Sequence, residues 1–328
     1  MRSPSNHSRL ATSGLIGRRA AKAGFSLIEI MIAVSIMGIL VFALYSVFNQ
    51  TQRAMRSSEI QGDVNEKGRA IMELLSRELE QVVASQGSFE INMRIGSDFE
   101  PLAQTNRNAP AGVAMDRTNV IHTLYFLNRQ TNVWTAVGYR LNPLGKGAGT
   151  FNRWQTSFRS FNQFGFGGTN LHPTLAFTQA RLDSTNYHHL AEGVVHFKLT
   201  PYDPNGYPLV YNTTNRFTNL YVINRLDAGN RPMTPRDDYS DDASKLGPFN
   251  VLLQQAWTTD PADSRATFFS NALPASLEVE LGILEPQTWR QYQVLAADGN
   301  PNAAKFLADR LNKVHLFRQR IPIRQVSK

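Results

Sequence analysis

One acid stands alone in a long apolar run. Between residues 25 and 48 the chain holds a single charged side chain, Glu29. A carboxylate inside an apolar helix costs on the order of 2.5–3.5 kcal/mol on insertion scales, so Glu29 calls for a cationic partner. Two other groups carry chemistry-bearing types. Asp237, Asp238, Asp241 and Asp242 place four carboxylates within six residues, a density of hard oxygens that could hold Ca²⁺. That run lacks the alternating spacing and distal Glu of an EF-hand loop, so a solvated acidic loop is the leading reading and no metal is expected. The adjacent His188 and His189 would point to opposite faces of a strand and cannot chelate one ion together. His122, His196 and His315 each stand singly in strand-like segments and read as packed or edge residues. No Gly-x-Ser-x-Gly elbow, His-Glu-x-x-His helix or phosphate-cradling glycine loop occurs. The chain is therefore not expected to be an enzyme, and no cofactor is expected.

The elements that must carry Glu29 are legible around it. Residues 25–48, as a helix, would be roughly 36 Å long, enough to cross a hydrocarbon core of about 30 Å with some tilt. Upstream lie Arg18, Arg19 and Lys22, with no acid before Gly24. That cationic flank should stay cytoplasmic and send the C-terminus across the membrane. A cleaved secretory signal would have an apolar core of about 7–15 residues ending at a small-x-small site, which this run does not match. The Arg18-Arg19 pair lacks the apolar residues that should follow it in twin-arginine export.

Helical character continues past residue 48, with Ile60, Val64, Ile71, Leu74, Leu75, Leu79 and Val82 at three-and-four spacing and charges on the other face. One helix of about 55–60 residues is expected, apolar in its first half and amphipathic in its second. Gly62 and Gly68 lie in its interior and are read as sites of bends. From residue 89 the signal is β. Strands are expected at 120–127 and 134–141 with a polar hairpin loop at 128–132, at 193–199, and at 277–283, which alternates as a half-buried strand should. A flexible loop is expected at 162–168, tight-turn chemistry at Asp203-Pro204-Asn205-Gly206, and a long irregular insertion at 211–272. A helical stretch near 303–313 and a closing strand at 314–323 complete the chain. The fold class is α+β, a long N-terminal helix packed on a β-rich domain. The boundaries are 1–24 for the leader, 25–48 for the membrane half of the helix, 49–84 for its amphipathic half and 85–328 for the globular domain.

Bulk composition narrows the function. Of the formal net charge of +8, five positive charges (Arg2, Arg9, Arg18, Arg19 and Lys22) lie in the leader, leaving +3 without it. That is too little to argue for nucleic-acid binding, and no basic cluster with interleaved aromatics appears. Cysteine is absent, which excludes thiol catalysis, disulfides and Cys-type zinc sites. The outer domain must stand on packing, for which 19 Phe, 10 Tyr and 4 Trp are available.

A basic leader, then Gly24-Phe25-Ser26-Leu27-Ile28-Glu29, then an apolar helix resembles the class III signal of type IV pilins and type II secretion pseudopilins. The resemblance implies cleavage after Gly24 by a prepilin peptidase and N-methylation of Phe25. It also makes Glu29 the glutamate of the family motif. Cleavage there would leave a positive α-amine four residues from Glu29, one helical turn, and in a bundle of such helices an incoming amine can meet a neighbour's Glu29 and set register. Gly193 to Asp203 and Leu273 to Val279 are similar to segments of the large minor pseudopilins of the J type and the W-type minor pilins. The tail, Phe306-Leu307 and residues 314–322, is similar to prepilin-type proteins of a verrucomicrobial gene cassette. The missing cysteines depart from many major pilins and lean toward a minor subunit. The implied partners are other pilins or pseudopilins, the peptidase and the inner membrane, with the β-rich domain in the periplasm, near a filament tip. The competing reading is a single-pass anchored periplasmic domain that binds or hydrolyses a ligand.

Overall fold

The computed structural model describes residues 26–84, 91–97, 99–105, 116–130, 133–144, 147–158, 187–210, 251–255, 264–269 and 272–324. The chain divides into two compact units, one ending at Ser57 and the other beginning at Ser58. Helix α1 (Leu27–Leu79) contributes its first part to the first unit and its last turns to the second. Leu, Ile, Met, Val and Ala fill the first part, with no proline and a lone glycine, Gly38. Such a run satisfies its backbone internally, as a segment in lipid must.

In the second unit a nine-stranded antiparallel sheet forms the frame. Its strands are β1 (Ile91–Ser97), β4 (His122–Gln130), β5 (Val133–Pro143), β6 (Gly149–Phe158), β7 (Tyr187–Tyr202), β8 (Val251–Gln255), β9 (Ser264–Phe269), β10 (Ser276–Leu284) and β11 (Val314–Pro322). The order is β11-β10-β7-β6-β5-β4-β1-β9-β8. A separate ribbon pairs β2 (Leu102–Thr105) with β3 (Asp116–Asn119). Two helices follow β10, α2 (Pro286–Ala297) and α3 (Ala303–Ala308), then a 3₁₀ turn at Leu311–Lys313. The architecture is α+β.

The alternating geometry of strands divides the core into two layers. On one face Val64, Ile71, Met72, Leu75 and Leu79 of α1 are buried with Phe126, Tyr139, Phe151, Phe197, Leu277 and Leu281. Four of these rings step across β4 to β7: Phe126 to Tyr139 at 6.2 Å, Tyr139 to Phe151 at 5.8 Å, and Phe151 edge-on to Phe197 at 4.7 Å. Such pairs add about 0.5–1.5 kcal/mol each beyond their buried area. On the other face Val195 and Leu284 pack with Trp289 and Tyr292 of α2 and Leu307 of α3. Val194 and Val195 enter different layers because successive side chains alternate.

Several details differ from the sequence expectation. Of the polar segment 128–132, the described residues are strand: Asn128 and Arg129 pair with Thr135 and Trp134, and Gln130 faces Val133. Within the stretch read as an insertion, β8 and β9 are members of the main sheet, β9 pairing with β1. Helix α2 was not expected at all; Pro286 opens it, as proline can at a first helical turn. Gly68 marks a close approach: a β-carbon there would overlap the ring of Phe317. At the turn after β7 the expectation holds. Asp203 accepts from the Gly206 amide at 3.1 Å through its carbonyl and from the Tyr207 amide at 2.7 Å through its carboxylate, and Gly206 takes φ +86°. The loop expected at 162–168 lies outside the described residues.

Candidate functional site

In the first unit, α1 begins at Leu27 with Ser26 as its cap. The Glu29 amide donates to the Ser26 hydroxyl at 3.3 Å and to the Ser26 carbonyl at 3.0 Å. A serine three residues before a glutamate is a helix-start signal, and sequence reading passed over it in favour of the carboxylate. Glu29 itself is exposed and, among the described residues, makes no ion pair. Around it the apolar side chains are bare, from 78% exposed at Leu27 to 53% at Ile36. Sixteen such side chains between Leu27 and Phe48 would be untenable in water at about 25 cal/mol per Å² of apolar surface, so this surface belongs in lipid or against other helices. The helix is long and apolar enough to cross a membrane. Two hydroxyls along it are satisfied within the helix, Ser35 donating to the Met31 carbonyl at 2.8 Å and Thr51 to the Val47 carbonyl at 2.9 Å. Gly24 and Phe25 lie outside the described residues, as do Asp237, Asp238, Asp241 and Asp242.

In the second unit, polar chemistry fixes the last turns of α1 to the sheet. Glu78 accepts from Arg153 at 2.7 Å (Nη2 to Oε1) and 3.0 Å (Nε to Oε1), and from the Tyr139 hydroxyl. Burial first, then the Glu78 carboxylate, pushes the Tyr139 hydroxyl well above its ordinary pKa. Burial opposes the charge on Arg153, and Glu78 outweighs it, raising the guanidinium's pKa. The arrangement is a structural clamp.

The buried histidines act as substitutes for backbone. Strand β6 ends its pairing with β7 at Gly149 opposite Val194, so the rest of β7 lacks a strand on that side. Residues 120–122 fill the gap. The Phe197 amide donates to the Val120 carbonyl at 2.9 Å, the Leu199 amide to Nδ1 of His122 at 3.0 Å, and the Val120 amide to Nδ1 of His196 at 3.1 Å. Each neutral ring must then carry its proton on Nε2. Burial, with His196 and Lys198 nearby, holds His122 down to about 3, and burial also lowers His196. Nε2 of His196 lies 3.7 Å from Glu280, and that imidazole with Lys198 and Arg318 holds the Glu280 carboxyl down to about 2. His122 and His196 thus form one buried cluster, where sequence reading had each standing alone. Rings whose Nδ1 is already taken are poor ligands or bases, and among the described residues no group of three His, Asp or Glu has metal-holding geometry.

The segment that carries Glu29 is the decisive one. Residues 19–45 match the prokaryotic N-terminal methylation motif. This prepilin-type motif supports kinship with type IV pilins and pseudopilins, and it implies processing by a prepilin peptidase and assembly with other pilins. It covers Gly24, Phe25 and Glu29 and a small part of the chain. Comparison with curated proteins and with solved structures gave no match. With the prepilin-type motif in place, the bare apolar first part of α1 and its acid, without an ion-pair partner among the described residues, share one explanation.

Proposed function

We propose that the chain is a prepilin-like minor pilin or pseudopilin, cleaved after Gly24 and N-methylated at Phe25. It is held in the inner membrane by α1 with its N-terminus cytoplasmic and its β-rich unit periplasmic. The observation that carries this reading is Glu29, without an ion-pair partner among the described residues, on the exposed apolar first part of α1 inside a prepilin-type motif. A lone carboxylate in lipid is costly, and the α-amine of an adjoining subunit is the cation that cleavage would supply. The segments Gly193 to Asp203 and Leu273 to Val279, and the want of cysteine, favour a J- or W-type minor subunit. A bulky head is hard to repeat along a thin filament, which favours a place near the tip. The subunit works by helix packing and not by catalysis.

Glu29→Ala tests the role of the acid. The variant should enter the membrane as the parent does, yet be recovered in filaments at roughly a tenth of the parent's level or less, a loss of about 1.4 kcal/mol or more in assembly. Recovery at parental levels would remove the acid from the assembly mechanism.

A further inference from the structure

Among the described residues, strand β11 ends the sheet and no strand pairs with its outer edge. At the two ends of its ladder with β10, the Glu285 amide donates to the Lys313 carbonyl at 2.9 Å and the Ile323 amide to the Ala275 carbonyl at 2.9 Å. Residues 313 and 323 are both odd, so in this unbroken antiparallel register the peptide groups of odd-numbered residues turn toward β10. Those of Leu316, Arg318 and Arg320 therefore turn outward, and no backbone partner meets them among the described residues. Charged side chains often guard such edges against pairing. Here they are drawn back over the sheet: Arg318 Nη2 sits 2.7 Å from Glu278, and Arg320 donates to the Ser276 hydroxyl at 2.7 Å with its guanidinium 3.9 Å over the Tyr202 ring. Among the described residues the edge backbone is left clear.

Beside that edge runs a groove of about 400 Å³, lined by Asn65, Arg69 and Met72 of α1 and by Leu316 to Gln319 of β11. It contains two arginines and no carboxylate, and Arg69 is exposed with no partner among the described residues. A second copy would bring to this groove an identical lining that has no carboxylate to meet Arg69. We propose that this edge and groove receive an extended acidic segment of another protein, added as a tenth strand to β11 with its carboxylates toward Arg69. The inference stands independently of the prepilin reading.

Amide exchange on the full chain in detergent tests it, using a synthetic peptide of about eight alternating Val and Glu residues, a typical strand length. The acidic peptide should slow exchange at Leu316, Arg318 and Arg320 by about tenfold or more, as a newly bonded strand edge should. Phe317 and Gln319, already bonded to β10, should not change, and a peptide with Lys in place of Glu should give no protection. Leu316→Pro removes only an outward amide and is compatible with an edge strand, so it should abolish protection. If that variant does not fold, Arg69→Glu, at an exposed helix position, carries the test and should lose the protection too. Three results would overturn the proposal: no protection by the acidic peptide, equal protection by the Lys peptide, or protection that grows with protein concentration in the absence of peptide. The last would mean that a second copy occupies the edge.

Discussion

Gly68 of α1 lies directly beneath the ring of Phe317 on β11, so near that any β-carbon at residue 68 would overlap the ring. Glycine costs up to about 1 kcal/mol in a helix interior relative to alanine, and here it is retained because the edge strand must approach the helix backbone. Phe317 leans on the main core from this position.

The pairing predicts a reversal of sign. Gly68→Ala alone should destabilise the second unit by about 1–3 kcal/mol through overpacking. In a Phe317→Ala background the same change should be neutral or stabilising by up to about 1 kcal/mol, because only helix propensity remains. Urea denaturation of the four proteins closes the cycle. Additive effects would mean that the ring is not what holds residue 68 to glycine.

The Glu78 clamp predicts asymmetry. Glu78→Ala strands a half-buried guanidinium and the Tyr139 hydroxyl, and should cost about 2–4 kcal/mol. Replacing all three groups by apolar ones, as Glu78→Met with Arg153→Met and Tyr139→Phe, should cost much less, since no buried charge is left unpaired. Equal losses in the single and triple variants would show that packing of α1, and not charge, is what the single change disturbs.

The histidine cluster predicts an early onset of acid sensitivity. His122 falls from 6.5 in the unfolded chain to about 3 when folded, so between those values the unfolded state binds the extra proton. Stability is therefore complete above about pH 6.5 and declines as pH falls toward 3, by at most about 1.4 kcal/mol per pH unit for one proton. Glu280 adds a second window: its contribution is full above about 4.5 and is lost as pH falls toward about 2. His122→Asn, whose carbonyl can still accept from Leu199, should flatten the slope between pH 4.5 and 6.5. An unchanged slope in that window would place the titrating group elsewhere.

Sequence legibility followed locality. The helix Leu27–Leu79 and the strands containing 193–199 and 277–283 were readable because periodicity is written in consecutive residues. Even so, β10 alternates only in its first half; on the face that alternation assigned to solvent, Leu284 packs with α2 and α3, and Gly282 lies against His196, Val314 and Arg117. Strands β8 and β9 sit in a largely polar stretch of sequence, and the pairing of β9 with β1 is a long-range fact. In the site, Glu29 announced itself by being the one charge in an apolar run. The Glu78, Arg153 and Tyr139 clamp did not, because Glu78 lies 61 residues from Tyr139 and 75 from Arg153 and each looks ordinary in its own segment. The pairing of His122 with His196 was hidden for the same reason, since each replaces a backbone acceptor that only the finished sheet lacks.

The central claim is that α1 begins, in the mature protein, with a freed amine one turn from Glu29. Mass spectrometry of the protein purified from membranes of cells carrying a prepilin peptidase reads this most directly. The account predicts a mature chain that starts at residue 25 and bears one added methyl group on its α-amine. A chain that keeps residues 1–24 under those conditions would contradict it.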